Sequence, residues 1–300
     1  MTDRETDLTS DLASGRPEQL SCPICASSSR PYCDKPMHGH LWHMHRCGAC
    51  GYGFISNRPS LQTLAEVYGS EDKSHLEWDV ASINTQAHEQ RKDCRAVVKR
   101  IASLTSERGA SLDVGCGDGA FSYHLAKKGF RPTMIDMDQR VQQAAALVPN
   151  STFQVTSFED FTDRSREMFS AVVMSQVLEH ALDPLDWLKR TAALLSPTGV
   201  LAVAVPNFGG VYRLLGARDP FIIPPIHLNF FTPASLRLAF EKAGLTVLKV
   251  RSFNRISLNR GRGVKGAIKK AIEAGWNATS WITDGTARGI VLQVLGRRNA

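Results

Sequence analysis

The sequence predicts an α/β protein, in which a mainly parallel sheet flanked by helices follows a small cysteine-rich ribbon. From residue 110 onward, short apolar runs such as SLDVG, SAVVMS and GVLAVAV alternate with helix-like stretches. Strands that alternate with helices in this way pair in parallel and carry helices on both faces of the sheet. Ahead of this region, four of the seven cysteines fall in two C-x-x-C pairs within the first 50 residues.

The chain begins with a polar, acidic stretch. We expect residues 1–19 to form a disordered tail, because this composition suits neither a signal peptide nor a presequence. No apolar run approaches the roughly 20 residues that a membrane-spanning helix requires. We therefore expect a cytoplasmic protein with no transmembrane segment.

The cysteine pairs are Cys22/Cys25 in CPIC and Cys47/Cys50 in CGAC, with 21 residues between them. Two thiolates on one tight turn reach a tetrahedral ion from the same side, and two such turns complete its four ligands. Residues 20–57 are therefore predicted to form a ribbon around a structural Zn²⁺ ion. Disulfides are the alternative, which the reducing cytosol disfavours.

Four histidines lie between the cysteine pairs, at His38, His40, His43 and His45. They could form a second metal site or contact a substrate, but we favour ordinary polar positions on a ribbon strand. Residues 58–106 then show apolar residues at three- and four-residue steps, which predicts a helical linker and cap.

A glycine-rich loop, GCGDG, closes the first strand of the predicted sheet. Dinucleotide-binding loops have the spacing G-x-G-x-x-G and hold a pyrophosphate. Here the spacing is G-x-G-x-G, and the carboxylates of Asp113 and Asp118 would repel a pyrophosphate but suit a cationic ligand. Asp136 ends the second strand, where an acid can accept hydrogen bonds from a ribose. These features together favour S-adenosylmethionine as the ligand.

The segments LDVGCGDG, MIDMD and VVMSQVLEHALDP resemble, in this order, the motifs of class I S-adenosylmethionine-dependent methyltransferases. The resemblance covers roughly residues 84 to 298, and it implies a Rossmann-like sheet of seven mostly parallel strands within a methyltransferase domain at 107–300. It also implies a set of residues around the cofactor, from its amino-acid end through its ribose and adenine to its sulfur: Asp113, Gly115, Cys116, Gly117, Asp136, Met137, Ser157, Phe158, Ser175 and Gln176.

Two insertions are expected in this domain, at 207–232 and 254–285. The first is rich in aromatic residues, proline and glycine, as a substrate wall would be. Its end, HLNFFTP, resembles the bacterial subgroup that methylates sugars, polysaccharide precursors and secondary metabolites, several of which start with a zinc ribbon. The expected reaction is therefore O-methylation of a sugar or secondary-metabolite hydroxyl, with a small-molecule acceptor that could also bear phosphate.

A hydroxyl acceptor must lose its proton as it attacks, and histidine suits that task. His227 is the candidate general base, with Asn207 or Asn229 orienting the acceptor; the alternative is that His227 only fixes its loop. Glu179 and His180 in LEHALDP are expected to be mainly architectural, with His180 as a reserve base.

The uneven distribution of charge along the chain leaves functions other than small-molecule O-methylation open. Residues 251–300 contain ten Lys/Arg and only two acidic residues, so this segment accounts for the positive net charge of the whole chain, which is +7. A solvated face is the preferred interpretation, and RNA methylation that uses the ribbon and this basic region is the alternative. Methylation of nitrogen or carbon, and a non-catalytic scaffold, also remain open. The second insertion is predicted to hold an amphipathic helix that packs on the domain or on a second subunit in a homodimer.

Overall fold

The structure is a computed structural model, and it describes residues 18–69, 84–253 and 288–299. Within these residues the chain forms two sheets. The strands, in chain order, are β1 (Leu20–Ser21), β2 (Ser28–Met37), β3 (His40–Cys47), β4 (Gly53–Ile55), β5 (Ala110–Val114), β6 (Arg131–Asp136), β7 (Thr152–Val155), β8 (Phe169–Ser175), β9 (Leu195–Pro206), β10 (Asn229–Phe230), β11 (Leu245–Phe253) and β12 (Val291–Arg298).

The larger sheet has seven strands in the order β11-β12-β9-β8-β5-β6-β7. The five strands from β5 to β9 pair in parallel, and β12 runs antiparallel between β9 and β11. Both the α/β class and the mainly parallel seven-stranded sheet are thereby confirmed. Strands β5 and β8 are neighbours at the centre of this sheet, but the chain continues from β5 to β6 on one side and from β8 to β9 on the other. At such a reversal of strand order, a crevice forms at the carboxyl ends of the two strands.

Helices cover the sheet and lead into it. They are α1 (Leu61–Gly69), α2 (Thr85–Gln90), α3 (Lys92–Leu104), α4 (Ala120–Ala126), α5 (Gln142–Ala145), α6 (Phe158–Arg164), α7 (Pro184–Leu194) and α8 (Pro233–Lys242). The apolar stripe predicted in the linker is the buried face of α3, formed by Cys94, Val97, Val98 and Ile101. Helix α8 begins as the sequence indicates, with Thr232 capping it and Pro233 in its first turn.

The smaller sheet joins two segments that the sequence assigned to different domains. Strands β1 to β4 form the expected ribbon, but β10 from the first insertion pairs antiparallel with β4 and extends that sheet to five strands. Tyr52 of the ribbon is fully buried, and its ring packs on Phe231 with centroids 5.2 Å apart. The buried ribbon residues Cys22 and Phe54 belong to the same apolar core as Leu178 and Leu236. The ribbon is therefore packed into the main domain.

Several sequence-based expectations fall on other parts of the chain. The acidic tail lies almost wholly, and the amphipathic helix within the second insertion entirely, outside the described residues. Its expected packing against the domain or a second subunit, and the homodimer with it, stay predictions. Of the helices in the described ranges, none combines the length and the apolar character needed to span a membrane.

Candidate active site

Four strand ends meet at one edge of the seven-stranded sheet. Because β8, β5, β6 and β7 are adjacent and parallel, the residues that follow them lie side by side. Gly115 follows β5, Asp136 ends β6, Ser157 lies just beyond β7 and Ser175 ends β8. These four sequence-predicted cofactor residues, each from a separate segment, thus lie along one edge of the sheet.

The glycine loop requires a residue without a side chain. Gly115 has φ +60° and is exposed, and a Cβ added there would lie 2.8 Å from Cγ2 of Val177. Gly117 has φ +50°, and its N–H donates to Oδ2 of Asp136 over 3.1 Å. Left-handed backbone of this kind favours glycine, and it leaves the main chain open to a ligand.

Asp136 is held firmly at the crevice. Its second oxygen, Oδ1, accepts from the N–H of Asp138 over 2.9 Å, and burial raises the pKa of its carboxyl above the usual range. A carboxylate has about four acceptor sites, so these two backbone donors leave capacity for a ribose hydroxyl. The exposed Gly115, the half-buried Gly117 and this oriented acceptor fit an adenosyl ligand such as S-adenosylmethionine.

The other two acidic residues of the loop differ from expectation. Asp113 is buried beneath the loop, where its Oδ2 accepts from the N–H of Ser122 at 3.2 Å and from its Oγ at 2.7 Å. Burial raises the pKa of Asp113 to about 7, so this carboxyl is only partly ionised at neutral pH. Asp118 forms an ion pair with Arg91. The repulsion of a pyrophosphate that the sequence assigned to these two acids is therefore weaker than expected at both positions.

Other predicted cofactor residues take varied places. Cys116 is buried, and its N–H donates to the carbonyl of Ile135. Phe158 packs in the core, with its ring 4.8 Å from that of Trp187, so the structure does not bring it to the crevice. Met137 is 78% exposed beside Asp136, and Gln176 is exposed with φ +58°. The roles of Met137, Ser157, Ser175 and Gln176 toward the cofactor stay predictions.

The four ribbon cysteines come together. Their Sγ atoms all lie within 4.8 Å of one another, with 3.7 Å between Cys22 and Cys50 and 3.4 Å between Cys25 and Cys47. These separations are far longer than a disulfide, and they approach the roughly 3.8 Å edge of a zinc tetrathiolate whose Zn–S bonds are about 2.3 Å. The hydrogen bond with Cys50 lowers the pKa of Cys22 to about 5, which provides a thiolate at neutral pH. The residues fit Zn²⁺, which stays a prediction.

The ribbon histidines do not join a metal cluster among the described residues. His43 contacts Asp34 through Nδ1 at 2.9 Å, and the buried ring of His45 lies 5.9 Å from that of Phe54. His40 packs beside Trp42, with ring centroids 5.5 Å apart. These contacts favour the interpretation of the histidines as ordinary polar residues of a strand, as opposed to metal ligands.

A second cluster lies beside the crevice, on a 3-10 turn (Leu178–His180) that begins three residues beyond β8. One ligand-type atom from each of Glu179, His180 and His227 falls within 4.8 Å of the other two. The two imidazole rings are 5.0 Å apart in an edge-on arrangement. The first insertion and the LEH motif therefore converge at one point.

Both histidines are oriented by backbone carbonyls. Nδ1 of His180 lies 2.7 Å from the carbonyl oxygen of Ile226, and Nδ1 of His227 lies 2.8 Å from that of Phe221. A carbonyl oxygen can only accept, so each Nδ1 carries the proton and each Nε2 is the basic nitrogen. This arrangement orients two basic atoms beside the crevice.

The three groups differ in burial, and this reverses the expected order of the two histidines. Burial lowers the pKa of His227 to about 3, far from the near-neutral value that suits a general base. His180 is half-buried and is the most accessible of the three. Burial raises the pKa of Glu179 to about 8, and neither carboxyl oxygen has a hydrogen-bond partner among the described residues.

The two asparagines expected to orient the acceptor are buried structural residues instead. Asn207 donates from Nδ2 to the carbonyl of Gly289 and accepts at Oδ1 from the N–H of Gly209. Asn229 donates from Nδ2 to the carbonyl of Ala181 over 2.6 Å, with longer contacts to the carbonyls of Leu178 and Glu179. Both side chains are occupied with protein groups, which corrects the sequence-based prediction.

Asn229 also links the ribbon to this turn. Its Oδ1 accepts from the hydroxyl of Tyr52 over 2.6 Å and from Nη2 of Arg58 over 3.0 Å. Sequence reasoning did not identify Tyr52 or Arg58, because no local pattern relates Tyr52 to a residue 177 positions away. The turn that carries Glu179 and His180 is consequently fixed by the ribbon through one amide side chain.

Known proteins similar to this chain point in one direction. A family model described as a methyltransferase domain matches residues 86–250, which is more than half of the chain. A ubiquinone biosynthesis O-methyltransferase from Paracidovorax citrulli is 26% identical over 215 residues, covering 67% of this chain and 90% of that protein. One from Coxiella burnetii is 31% identical over 151 residues, covering 46% of this chain and 64% of that protein.

Solved structures share the fold. The crystal structure of a Burkholderia thailandensis 1,6-didemethyltoxoflavin-N1-methyltransferase, with bound 1,6-didemethyltoxoflavin and S-adenosylhomocysteine, aligns with a TM-score of 0.50 at 16% identity. The alignment covers 85% of this chain and 99% of that chain. At this identity the similarity is one of fold.

Proposed function

Because this chain belongs to the S-adenosylmethionine-dependent methyltransferases, we propose that it methylates a hydroxyl oxygen of a small molecule, with His180 accepting the hydroxyl proton. The names of the curated relatives support oxygen as the accepting atom. Those names contain neither a sugar nor a secondary metabolite, so the acceptor class expected from the sequence finds no support, and it is not retained. The Glu179, His180 and His227 cluster beside the crevice is the observation that carries this proposal.

The bound cofactor supplies a methyl group on a positively charged sulfur, which makes the methyl carbon electrophilic. The chain's own task is to align an acceptor oxygen with that carbon and to exclude other geometries. The crevice residues hold one side of this arrangement, and the turn at 178–180, with its cluster, borders the other. Methyl transfer forms a C–O bond while the C–S bond breaks, and its electron pair stays on sulfur.

His180 is placed to take the released proton. The carbonyl of Ile226 fixes its Nδ1 as a donor, so Nε2 is the atom that can accept. His227 lies behind it, and its own protonation is opposed by burial and by the charge that His180 would carry. We therefore assign His227 a positioning role, because its ring packs edge-on against that of His180.

Glu179 affects how readily His180 becomes charged. Its carboxyl, with a pKa raised to about 8, is mostly protonated at neutral pH and ionises above that value. An ionised carboxylate next to an imidazolium stabilises the positive charge. We expect turnover, measured from pH 6 to 9.5, to rise as the pH passes through about 8 and to level off above it, and we expect Glu179→Gln to flatten that rise.

The test compares three histidine variants with labelled S-adenosylmethionine and a panel of small phenolic and aliphatic hydroxyl acceptors. His180→Gln should lower kcat by at least about 100-fold, the usual contribution of general-base catalysis. Cofactor affinity, measured by calorimetry, should stay within about threefold of the parent, because the crevice is untouched. His43→Gln changes a ribbon histidine that lies outside this cluster, so it is the matched control and should keep full activity.

The outcome separates the alternatives. If His227→Gln abolishes turnover while His180→Gln retains it, His227 is the base. A carbon-13 methyl label distinguishes O-, N- and C-methyl products by nuclear magnetic resonance. Label that enters RNA, with none in the small acceptors, would refute a small-molecule enzyme.

A further inference from the structure

An open cavity of about 410 Å³ lies between the ribbon and the 3-10 segment Val211–Arg218. Three arginines line it, Arg30 from β2, Arg46 from β3 and Arg213 from the segment, and no acidic residue does. Its volume falls within the range of small-ligand pockets, about 300–1,000 Å³. This concentration of positive charge is separate from the basic C-terminal region that the sequence singled out.

Arg30 and Arg46 face each other across two strands. They are directly opposite in the antiparallel register of β2 and β3. Like charges at such positions destabilise a sheet unless something offsets them. A negatively charged group between the two guanidiniums would attract both of them and so offset their mutual repulsion.

Arg46 is also incompletely satisfied. Its guanidinium lies 6.0 Å from the ring of Tyr32 and 5.5 Å from that of Phe208, and these rings hold it in place. Its Nε is buried and has no hydrogen-bond partner among the described residues. A buried donor without an acceptor costs about 1–3 kcal/mol. The ring contacts therefore orient a guanidinium whose hydrogen-bonding capacity is partly unused.

The surrounding acids do not neutralise this cavity. Asp219 acts electrostatically on Tyr32, but it does not line the cavity, and its Oδ1 accepts from the N–H of Phe221 over 2.9 Å. Cys47 lines the cavity, and a zinc tetrathiolate would carry a net charge of about −2. The three guanidiniums that line the cavity exceed the charge of the tetrathiolate by about one, and Asp219 has the positive charge of Lys35 acting on it.

We infer that this cavity binds the oxyanion of a small molecule, a phosphate or a carboxylate. The planar guanidinium offers five donors in a fork that matches both groups, and two or three such forks converge here. The site adjoins the acceptor side of the active site. Residue Tyr212, next to Arg213, packs its ring 5.7 Å from that of Phe221, whose carbonyl orients His227. Binding is measurable without turnover, so this inference does not depend on the proposed methyl transfer.

The test is calorimetric titration of the full chain with pyrophosphate, inorganic phosphate and citrate at low ionic strength. At least one of these should bind at a single site. Arg46→Gln should weaken that binding by at least about tenfold, as expected for loss of a charge-assisted contact. Arg213→Gln, an exposed position that folding should tolerate, should weaken it in the same direction. Arg237→Gln, an exposed arginine on α8, is the matched control and should leave binding unchanged.

The comparison between the phosphates and citrate identifies the anion. Tighter binding of pyrophosphate than of citrate assigns phosphate, and the reverse order assigns carboxylate. If no anion binds, or if all variants bind equally, the inference is wrong. It is also wrong if Arg46→Gln releases zinc while leaving anion binding intact, because the guanidinium would then serve the tetrathiolate. Binding of a short RNA but of no small anion would assign the cavity to nucleic acid and overturn the inference.

Discussion

The two sides of the active site are built in different ways. On the cofactor side, Gly115, Asp136 and Ser175 each end or directly follow a strand of one parallel sheet. On the acceptor side, the turn at 178–180 is fixed by Asn229, which is in turn held by Tyr52 of the ribbon. The cofactor side is thus formed by the ends of neighbouring strands, whereas the acceptor side is formed by three segments that are distant along the chain.

The cofactor side and the acceptor side therefore depend on different parts of the structure for their stability. A crevice formed by neighbouring strand ends is supported by the whole sheet, so it should survive damage elsewhere. The acceptor side depends on the ribbon, whose core residues Cys22 and Tyr52 pack with Leu178 in one cluster. Loss of the ribbon should therefore disable acceptor chemistry while leaving the cofactor crevice formed.

The largest expected effect comes from breaking the ribbon. Cys22→Ser, or removal of zinc by a strong chelator, should release the two cysteine turns, because zinc binding and ribbon folding are coupled. We expect methyl transfer to fall at least about 100-fold, since the turn that holds His180 loses its support. Cofactor affinity should change by less than about threefold, as measured by calorimetry.

The reciprocal variant is Asp136→Ala, which should show the opposite pattern. It removes the acceptor of the Gly117 and Asp138 N–H groups, so cofactor affinity should fall, while the metal content measured by atomic emission should be unchanged. Equal loss of cofactor binding in Cys22→Ser would show that the two sides are not separable.

A smaller effect is expected from the single side chain that joins the two segments. Asn229→Ala leaves the Tyr52 hydroxyl and the Ala181 carbonyl buried without their partner. Each unsatisfied buried group costs about 1–3 kcal/mol, so the free energy of unfolding should fall by about 2–6 kcal/mol. Urea unfolding measures this loss, and kcat should drop with cofactor affinity preserved.

Asn57→Ala is the matched control for this variant. Asn57 also bonds to ribbon backbone, through the carbonyl of Leu41 and the N–H of His43, but it is exposed. It should cost less than about 1 kcal/mol and leave kcat unchanged. An Asn229→Ala variant with normal kcat would mean that the ribbon does not position the turn.

The smallest expected effect concerns two buried carboxyl groups, that of Glu179 on the acceptor side and that of Asp113 on the cofactor side. Glu179 and Asp113 both have pKa values raised by burial, to about 8 and about 7. Each therefore contributes stability that is present below its unfolded pKa, near 4, and is lost as pH rises through the folded value. Glu179 has no hydrogen-bond partner among the described residues, whereas Asp113 accepts two hydrogen bonds from Ser122.

Amide substitution should consequently act differently at the two positions. Glu179→Gln should raise the free energy of unfolding at pH 9 by about 1–3 kcal/mol relative to the parent, with little change at pH 5. Asp113→Asn should bring no such gain, because it weakens the contacts to Ser122. Thermal unfolding across pH 5–9 measures both, and equal responses would contradict the assigned environments.

Sequence reasoning predicted the sheet and the glycine loop on the cofactor side correctly. The seven strands, the glycine loop and Asp136 follow from short-range features, since a strand pattern and the carboxyl end it leads to occupy adjacent positions. It did not predict that the side chains of Phe158 and Asp113 are buried, because burial depends on which helices pack behind the loop. It also ranked His227 above His180, although only the surroundings of each ring set its pKa.

The sequence by itself determined the α/β class, the order of the elements, the cofactor and the grouping of four cysteines. These properties are encoded by periodicity, turn residues and spacings of a few residues, where hydrogen bonds and ligand reach are local. Three features appear only in the folded chain: β10 completes the ribbon sheet, Asn229 joins the ribbon to the turn at 178–180, and three arginines share a cavity. Such contacts depend on the packing free energy of the whole core, which no short segment carries.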